Sequence, residues 1–236
     1  MIKIKQLLLL LFVGIAVSGC SSDTALVQIN QEYVSKEVVN QIEIVNTGST
    51  GVTLIPDTTT HVTVSFSTKI NKQYVDDFQM HVSESNKTLT IQGPKPIFSL
   101  TGVTIDQPMI QLKVPQTLYE KIVVETASGN VTSSNVQAKV LQISTKSGQV
   151  TLSNEQLFND INVETSSGNV SIGYTEKPVS LAIDYRSNSG KATLFIPDML
   201  FSTNTDHQMI GTLGSGKPKI SVLTNSGNFG VKQLSK

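Results

Sequence analysis

The 236-residue sequence has few of the residue types that most often build metal, redox or nucleic-acid sites. It has no tryptophan, one cysteine and three histidines, and its 18 basic side chains are balanced by 18 acidic ones. A single cysteine excludes an internal disulfide and a zinc site built on several thiolates. A net charge of zero gives no clustered basic face for phosphate backbones, so nucleic acid is not an expected partner.

The N-terminal residues have the layout of a secretory signal. Two lysines precede an apolar stretch over residues 7–17, which as a helix is too short to cross a hydrocarbon core of roughly 30 Å. The residues that follow, Val17-Ser18-Gly19-Cys20, resemble the lipobox of bacterial lipoproteins, in which the cysteine is acylated and becomes the mature N-terminus. We therefore expect a signal peptide over residues 1–19 and lipidation at Cys20.

The expected lipid anchor also predicts where the protein resides. Several acyl chains on one residue hold a protein at a membrane far better than a single chain does. The mature chain should thus lie outside the cytoplasm, attached to a bacterial membrane. Residues 20–40 are polar, with no long apolar run, and we expect them to form a tether that leads into the first strand.

A short motif recurs in the second half of the chain. Its pattern, apolar-x-apolar-x-Thr-x-Ser-Gly-x-Val, is clear at 122–131, 141–150 and 161–170 and looser at 181–192 and 220–229. Each copy predicts a strand, a tight turn and a second strand, and we expect positive φ at the turn glycines. These glycines are Gly129, Gly148, Gly168, Gly190 and Gly227, with spacings of 19, 20, 22 and 37 residues. Such a period favours a stacked β-solenoid over two hairpin-built sheets.

The alternation of residues along each strand assigns them to two faces. The column that shares its parity with the apolar core is expected to point inward, and it comprises Thr126, Thr145, Thr165, Tyr185 and Thr224. The column expected to point outward after each turn comprises Thr132, Thr151, Ser171 and Thr193. This outer stripe is a candidate binding surface, although threonine is also simply a good residue for an exposed strand.

The first half of the chain predicts strands without a clear motif. We expect residues 41–115 to form an N-terminal β-rich region that covers one end of the repeat region, residues 116–236. The end of a solenoid exposes unpaired strand edges, and caps of this kind are generally needed for solubility.

The motifs carry a family resemblance. The stretch Leu112-Lys113-Val114-Pro115, residues 122–131 and the Thr-x-Ser-Gly-Asn-Val copies at 126–131 and 165–170 resemble the bacterial DUF4097 family of proposed adhesins with β-strand repeats. The resemblance covers roughly residues 40–231. It implies an extracytoplasmic, right-handed β-solenoid-like domain without an established enzymatic activity. Some members of the family resemble accessory proteins of cell-envelope stress systems.

No catalytic, nucleotide or metal motif is complete. Residues 211–217 match a Walker A loop, but Pro218 occupies the position of the hydroxyl that should bind magnesium, so we expect no nucleotide. His61, His81 and His207 are widely separated, and we expect no metal and no cofactor. A glycan-cleaving enzyme that uses Glu125 and Glu164 is the disfavoured third class, because no substrate groove is evident in the sequence.

Two functions remain open at this point. The first is a non-enzymatic lipoprotein of the cell envelope, whose rigid β-repeat surface binds cell-wall glycan or an envelope protein. The second is an accessory protein of an envelope-stress sensing system, which contacts a membrane partner. Both follow from the expected anchor and repeat, and the sequence names neither the ligand nor the partner.

Overall fold

The computed structural model describes residues 25–95, 105–154, 156–157 and 159–235, which form β-strands and one short 3-10 helix, Lys72–Tyr74. The strands are β1 (Leu26–Val34), β2 (Gln41–Val45), β3 (Gly51–Asp57), β4 (Thr63–Asn71), β5 (His81–Ser85), β6 (Thr88–Gln92), β7 (Ile105–Pro115), β8 (Tyr119–Thr126), β9 (Val131–Ser134), β10 (Ala138–Thr145), β11 (Val150–Asn154), β12 (Asp160–Thr165), β13 (Val170–Tyr174), β14 (Leu181–Ser187), β15 (Ala192–Leu194), β16 (Leu200–Asn204), β17 (Gln208–Leu213), β18 (Lys219–Thr224) and β19 (Phe229–Gln233). The all-β prediction is confirmed. The predicted signal peptide and Cys20 lie outside the described residues.

The strands form two open sheets. The nine-stranded sheet has the order β1-β4-β7-β3-β9-β11-β13-β19-β15, and the ten-stranded sheet has the order β16-β17-β14-β18-β12-β10-β8-β2-β6-β5. Among the described residues, each sheet ends in two unpaired edge strands, so neither sheet closes into a barrel. In the described part of the chain, no helix is long and apolar enough to cross a membrane.

The two sheets are joined in repeating units, called rungs below, each of which contains one strand of either sheet. In each rung, a strand of the ten-stranded sheet is followed along the chain by a strand of the nine-stranded sheet, and neighbouring rungs pair in parallel. The spatial order of the rungs is β6/β7, β2/β3, β8/β9, β10/β11, β12/β13, β18/β19 and β14/β15. At both ends of the stack, the order of the rungs therefore differs from their order in the sequence. The last rung in the sequence lies between two earlier ones.

The N-terminal region belongs to the same two sheets as the repeat region. Residues 41–57 and 88–115 contain two of the rungs, and their apolar side chains share one buried core with those of the later rungs. Strands β4 and β5 extend the sheets beyond the β6/β7 rung as antiparallel neighbours. A domain boundary between residues 115 and 116 stays a prediction.

The tether expected over residues 20–40 is wrong over residues 26–34. Residues 26–34 form β1, which pairs antiparallel with β4 over its whole length. Only Ile29 of this strand is buried, while its other side chains are exposed or half-buried. The apolar alternation in the sequence of β1 is correspondingly weak, because β1 lies at the edge of its sheet and is held to β4 mainly by backbone pairing.

The inward threonines hold the corners. The hydroxyl oxygens of Thr126, Thr145, Thr165 and Thr224 accept hydrogen bonds from the backbone N–H groups of Gly129, Gly148, Gly168 and Gly227, at 2.8–3.0 Å. All four threonines are buried, so each bond satisfies a donor that water cannot reach. Tyr185 points inward as expected and is fully buried, but it lies opposite Val222 rather than opposite Thr224. Ser187, two residues later, takes the position and accepts from Gly190 at 2.7 Å.

The expectation of positive φ at the corner glycines is wrong, and close backbone approach requires these glycines instead. None of the five has a left-handed backbone. A Cβ on Gly148 would lie 1.9 Å from the carbonyl oxygen of Gly129 on the neighbouring rung, and a Cβ on Gly168 would lie 2.0 Å from that of Gly148. The same contact joins Gly227 to Gly168 and Gly190 to Gly227. The glycines thus form a continuous ladder along one edge of the stack.

A second ladder follows the glycines. The side-chain oxygen of Asn130 accepts from the backbone N–H of Gln149 at 2.9 Å, and that of Asn169 accepts from Asn228 at 2.9 Å. The oxygen of Asn228 accepts in turn from Lys191 at 2.9 Å. The asparagine therefore ties each of these three corners to the next rung.

A methyl group at one corner should weaken the whole stack. We expect Gly148→Ala to destabilise the protein by at least about 2 kcal/mol, because the new Cβ meets a backbone oxygen that cannot move without shifting a rung. Gly230→Ala is the matched control, since the nearest atom to its Cβ is 4.0 Å away. Urea unfolding followed by circular dichroism measures both variants. Equal stability of the two would contradict the glycine ladder.

Candidate functional site

The predicted outer stripe lies on the solvent face of the nine-stranded sheet. Thr132 of β9 is opposite Thr151 of β11, and Thr151 is opposite Ser171 of β13. Parallel neighbours in a sheet lie about 4.8 Å apart, so the three side chains form a short row along the stack. All three are half-buried.

Thr193 is separated from this row. Its partner across the sheet is Gly230 of β19, and Gly230 in turn pairs with Ser171. The β18/β19 rung therefore inserts a residue without a side chain between Ser171 and Thr193. The sequence motif could not show this, because the motif gives the parity of each rung and not its position in the stack.

Further hydroxyls lie beside the row. Thr53 of β3 continues it on the other side of Thr132. Ser134 and Ser153 face each other two residues further along β9 and β11, about 6.6 Å from the first row. The six residues Thr53, Thr132, Ser134, Thr151, Ser153 and Ser171 are called the hydroxyl patch below. The repeated Thr-x-Ser at 132–134 and 151–153 was the signal that could have revealed the second row.

The hydroxyl patch differs from the inner threonine column in its hydrogen bonds. In the described part of the structure, Ser134, Ser153 and the row residues on β9, β11 and β13 donate to no protein atom, whereas every inner threonine accepts from a glycine. Thr53 has only a contact of 3.6 Å to the sulfur of Met109. Leu234 borders the patch, since it packs where a Cβ on Gly173 would lie. The patch is therefore a flat, uncharged array of donors and acceptors that is open to solvent.

A cleft opens at the corner of the β2/β3 rung. Its volume is about 600 Å³, and it is lined by His81, Gln92, Lys95, Glu125 and Lys146, together with the corner residues 46–48. This corner holds seven residues between Ile44 and Val52, whereas six separate their partners Val124 and Val131, and both Asn46 and Gly48 have positive φ. The irregular corner was not foreseen, because the repeat motif is missing there.

The acidic side chains form no metal site within the described residues, where no three metal-ligating groups converge. Glu125 and Glu164 share a column on the ten-stranded sheet with Ser144 between them. Asp184 lies 3.0 Å from Arg186, and a hydrogen bond from that guanidinium lowers the pKa of Asp184. These groups are typical of a solvated charged face.

The Glu84 carboxylate links the two sheets at the end of the stack that the N-terminal strands form, and its contacts are called the clasp below. The Glu84 carboxylate on β5 accepts from the Tyr33 hydroxyl at 2.6 Å and from the backbone N–H of Lys36 at 2.8 Å, and so links an edge strand of each sheet. The hydrogen bond to this carboxylate raises the pKa of Tyr33 to about 12. Burial raises the pKa of Glu84, but the bonds from Tyr33 and from the N–H groups of Lys36 and Glu37 outweigh it, so the pKa is lowered.

The two open sheets joined at glycine corners place the chain among β-solenoid-like proteins. The chain belongs to the Toastrack DUF4097 family, whose model matches residues 39–159 and again residues 120–232. The resemblance stated from the motifs is therefore confirmed.

A solved structure shares the fold. A proposed cell adhesion protein from Clostridium sporogenes superposes with a TM-score of 0.61 at 12% identity, over 87% of this chain and all of the other. A proposed adhesin from Bacteroides fragilis is 15% identical over 88% of this chain and 97% of its own, with a TM-score of 0.35. No curated protein matches the chain in sequence.

The clasp predicts a pH dependence. A carboxyl whose pKa is lowered by folding adds stability above its unfolded value of about 4.3, and this stability is lost as the pH falls through the folded value. We expect the wild-type protein to lose stability below about pH 4 more steeply than Glu84→Gln. Chemical unfolding at several pH values measures this, with Glu164→Gln as the control on an exposed strand position. Parallel pH profiles for wild type and Glu84→Gln would contradict the clasp.

Proposed function

We propose that the protein is a non-enzymatic lipoprotein of the bacterial cell envelope that binds cell-wall glycan through the hydroxyl patch. Acylated Cys20 anchors it outside the cytoplasm. The scaffold is a right-handed winding of repeats of about 20 residues, and its N-terminal strands cap one end. The observation that carries the proposal is the contrast between the two hydroxyl columns, since among the described residues the inner column is hydrogen-bonded to the corner glycines and the outer row is not.

The chemistry of the patch favours a neutral polyhydroxyl ligand. Each hydroxyl offers one donor and two acceptor positions, which complements the hydroxyl and amide groups of a glycan chain. The patch carries no charge, so it gives no electrostatic preference for a charged partner. The repeat sets the hydroxyls of adjacent rungs at a constant spacing, and this suits a polymer that itself repeats.

The rigidity of the sheet compensates for the weakness of each contact. A single hydrogen bond contributes roughly 0.5–1.5 kcal/mol, so one rung alone binds little. Side chains that are half-buried on a sheet lose less freedom on binding than side chains on a loop. Several rungs acting together, and many anchored copies on one membrane, would give firm attachment to a wall by multivalency. The similarity in fold to a proposed cell adhesion protein also supports a role in attachment.

Removing three hydroxyls should abolish most of the binding. We expect the triple variant Thr132→Ala, Thr151→Ala and Ser171→Ala to bind purified cell-wall glycan at least about tenfold more weakly, since three hydrogen bonds of roughly 1 kcal/mol each are lost. The double variant Gln142→Ala and Asn162→Ala alters the outer face of the other sheet and is the control. Co-sedimentation measures binding, and circular dichroism monitors folding. Unchanged binding of a folded triple variant would remove the patch from the proposal.

The anchor can be tested separately. We expect Cys20→Ser to move the protein from the membrane fraction to the soluble extracytoplasmic fraction, because the acyl chains have no thiol to attach to. Metabolic labelling with a fatty acid and fractionation of the cells measure this. The control is Ser22→Ala, which leaves the thiol in place. A Cys20→Ser protein that is still labelled and membrane-bound would contradict the anchor without affecting the glycan experiment.

A further inference from the structure

The C-terminal rung, residues 219–233, occupies an unusual place in the stack. It is the last rung in the sequence, yet β12/β13 lies on one side of it and β14/β15 on the other. These two neighbouring rungs are the walls of a slot that holds residues 219–233, and both walls are formed by residues before 195. The slot is thus complete on two sides without any residue of the rung that fills it.

The slot is specific for a strand, a glycine corner and a second strand. On one wall, Val170 N–H donates to the carbonyl of Asn228 at 2.8 Å; on the other, Phe229 N–H donates to the carbonyl of Lys191 at 2.9 Å. Gly227 stands between Gly168 and Gly190 in the glycine ladder, where no side chain fits. The four inward apolar side chains of the rung are buried, and these are Ile220, Val222, Phe229 and Val231.

One short connection ties this rung to the rest of the chain. Residues 214–218, called the hinge below, follow β17, and β17 and β18 pair with opposite sides of β14. Gly214 and Gly216 have φ of +56° and +74°. The hinge contacts Ser180, whose hydroxyl oxygen accepts from the N–H of Lys217 at 3.1 Å and bonds the Ser215 hydroxyl at 2.8 Å.

We propose that the C-terminal rung exchanges between two copies of this chain, so that the slot of each copy holds residues 219–233 of the other. The two rungs have the same sequence, so every backbone bond, buried side chain and glycine contact of the slot is kept after exchange. Only the hinge changes its path. An exchange of identical elements of this kind is a low-cost route to a dimer.

Concentration decides between the two forms. A rung held by a short hinge has an effective concentration near its own slot in the millimolar range, which favours the monomer in dilute solution. Exchange is favoured when chains fold close together, because both walls of the slot precede the rung in the sequence and can form before it. Chains refolded at high concentration should therefore contain the exchanged dimer.

Cross-linking at the corner tests the exchange. Residues 166 and 225 are adjacent, since Asn225 N–H donates to the Ser166 carbonyl at 3.2 Å, and both side chains are exposed. One full-length chain carries Cys20→Ser and Ser166→Cys, and a second carries Cys20→Ser and Asn225→Cys. The two chains are unfolded, mixed, refolded at high concentration and treated with a short thiol cross-linker. We expect cross-linked dimers in at least about tenfold excess over the control below.

The control replaces Ser166→Cys with Ala127→Cys. Ala127 has the same place in its corner but lies two rungs away, where Lys146 separates it from Ser166. A chain with both Ser166→Cys and Asn225→Cys shows by its internal cross-link that the substituted corner folds. Equal dimer yields from the Ser166→Cys and Ala127→Cys mixtures, with the internal cross-link intact, would overturn the exchange. A dimer specific to Ser166→Cys supports it, whatever the ligand of the hydroxyl patch.

Discussion

The close approach of backbones at the corners is the constraint on which the rest of the structure depends. A glycine Cα lies against the carbonyl oxygen of the next rung at Gly129, Gly148 and Gly168, at a separation that leaves no room for a Cβ. This contact keeps both sheets at the same rung spacing through the corner. The threonine–glycine bonds and the asparagine ladder then satisfy the backbone donors and hold neighbouring corners together. Because the corners are in register, the strands that leave them present their hydroxyls in rows.

The sequence was sufficient for the fold class, and it was insufficient for the order of the rungs. Apolar alternation interrupted by Ser-Gly-Asn predicts strands and corners, because each rung buries one face and turns at a fixed place. The copies are so similar, however, that any of them could pair with any other. In the stack, β18/β19 lies between β12/β13 and β14/β15, although it comes last in the sequence. The chain reaches this position after β16 and β17, which carry no motif. The shift from Tyr185 to Ser187 has a similar cause, since the looser copy has two extra residues before its glycine.

The candidate site was foreseen to a similar extent. Parity alone places Thr132 and Thr151 on one outer face, since a period of two residues is fixed by the strand backbone. Neighbour relations need the structure, because parity groups Thr193 with residues that it does not adjoin and omits Thr53. The corner cleft depends on one additional residue in an irregular turn, and a motif search detects only what repeats.

The regularity of the rungs underlies both the proposed binding face and the proposed exchange, but the two involve different strands. Equivalent rungs produce rows of hydroxyls, and the same equivalence makes a rung from another chain acceptable in the slot. The hydroxyl patch lies entirely on β3, β9, β11 and β13, however, which all precede the hinge. Gly230 is the residue that the C-terminal rung adds beside the row, and it brings no side chain. An exchanged dimer would therefore hold two unaltered patches on one assembly, so that each glycan contact is doubled without any change in the site itself.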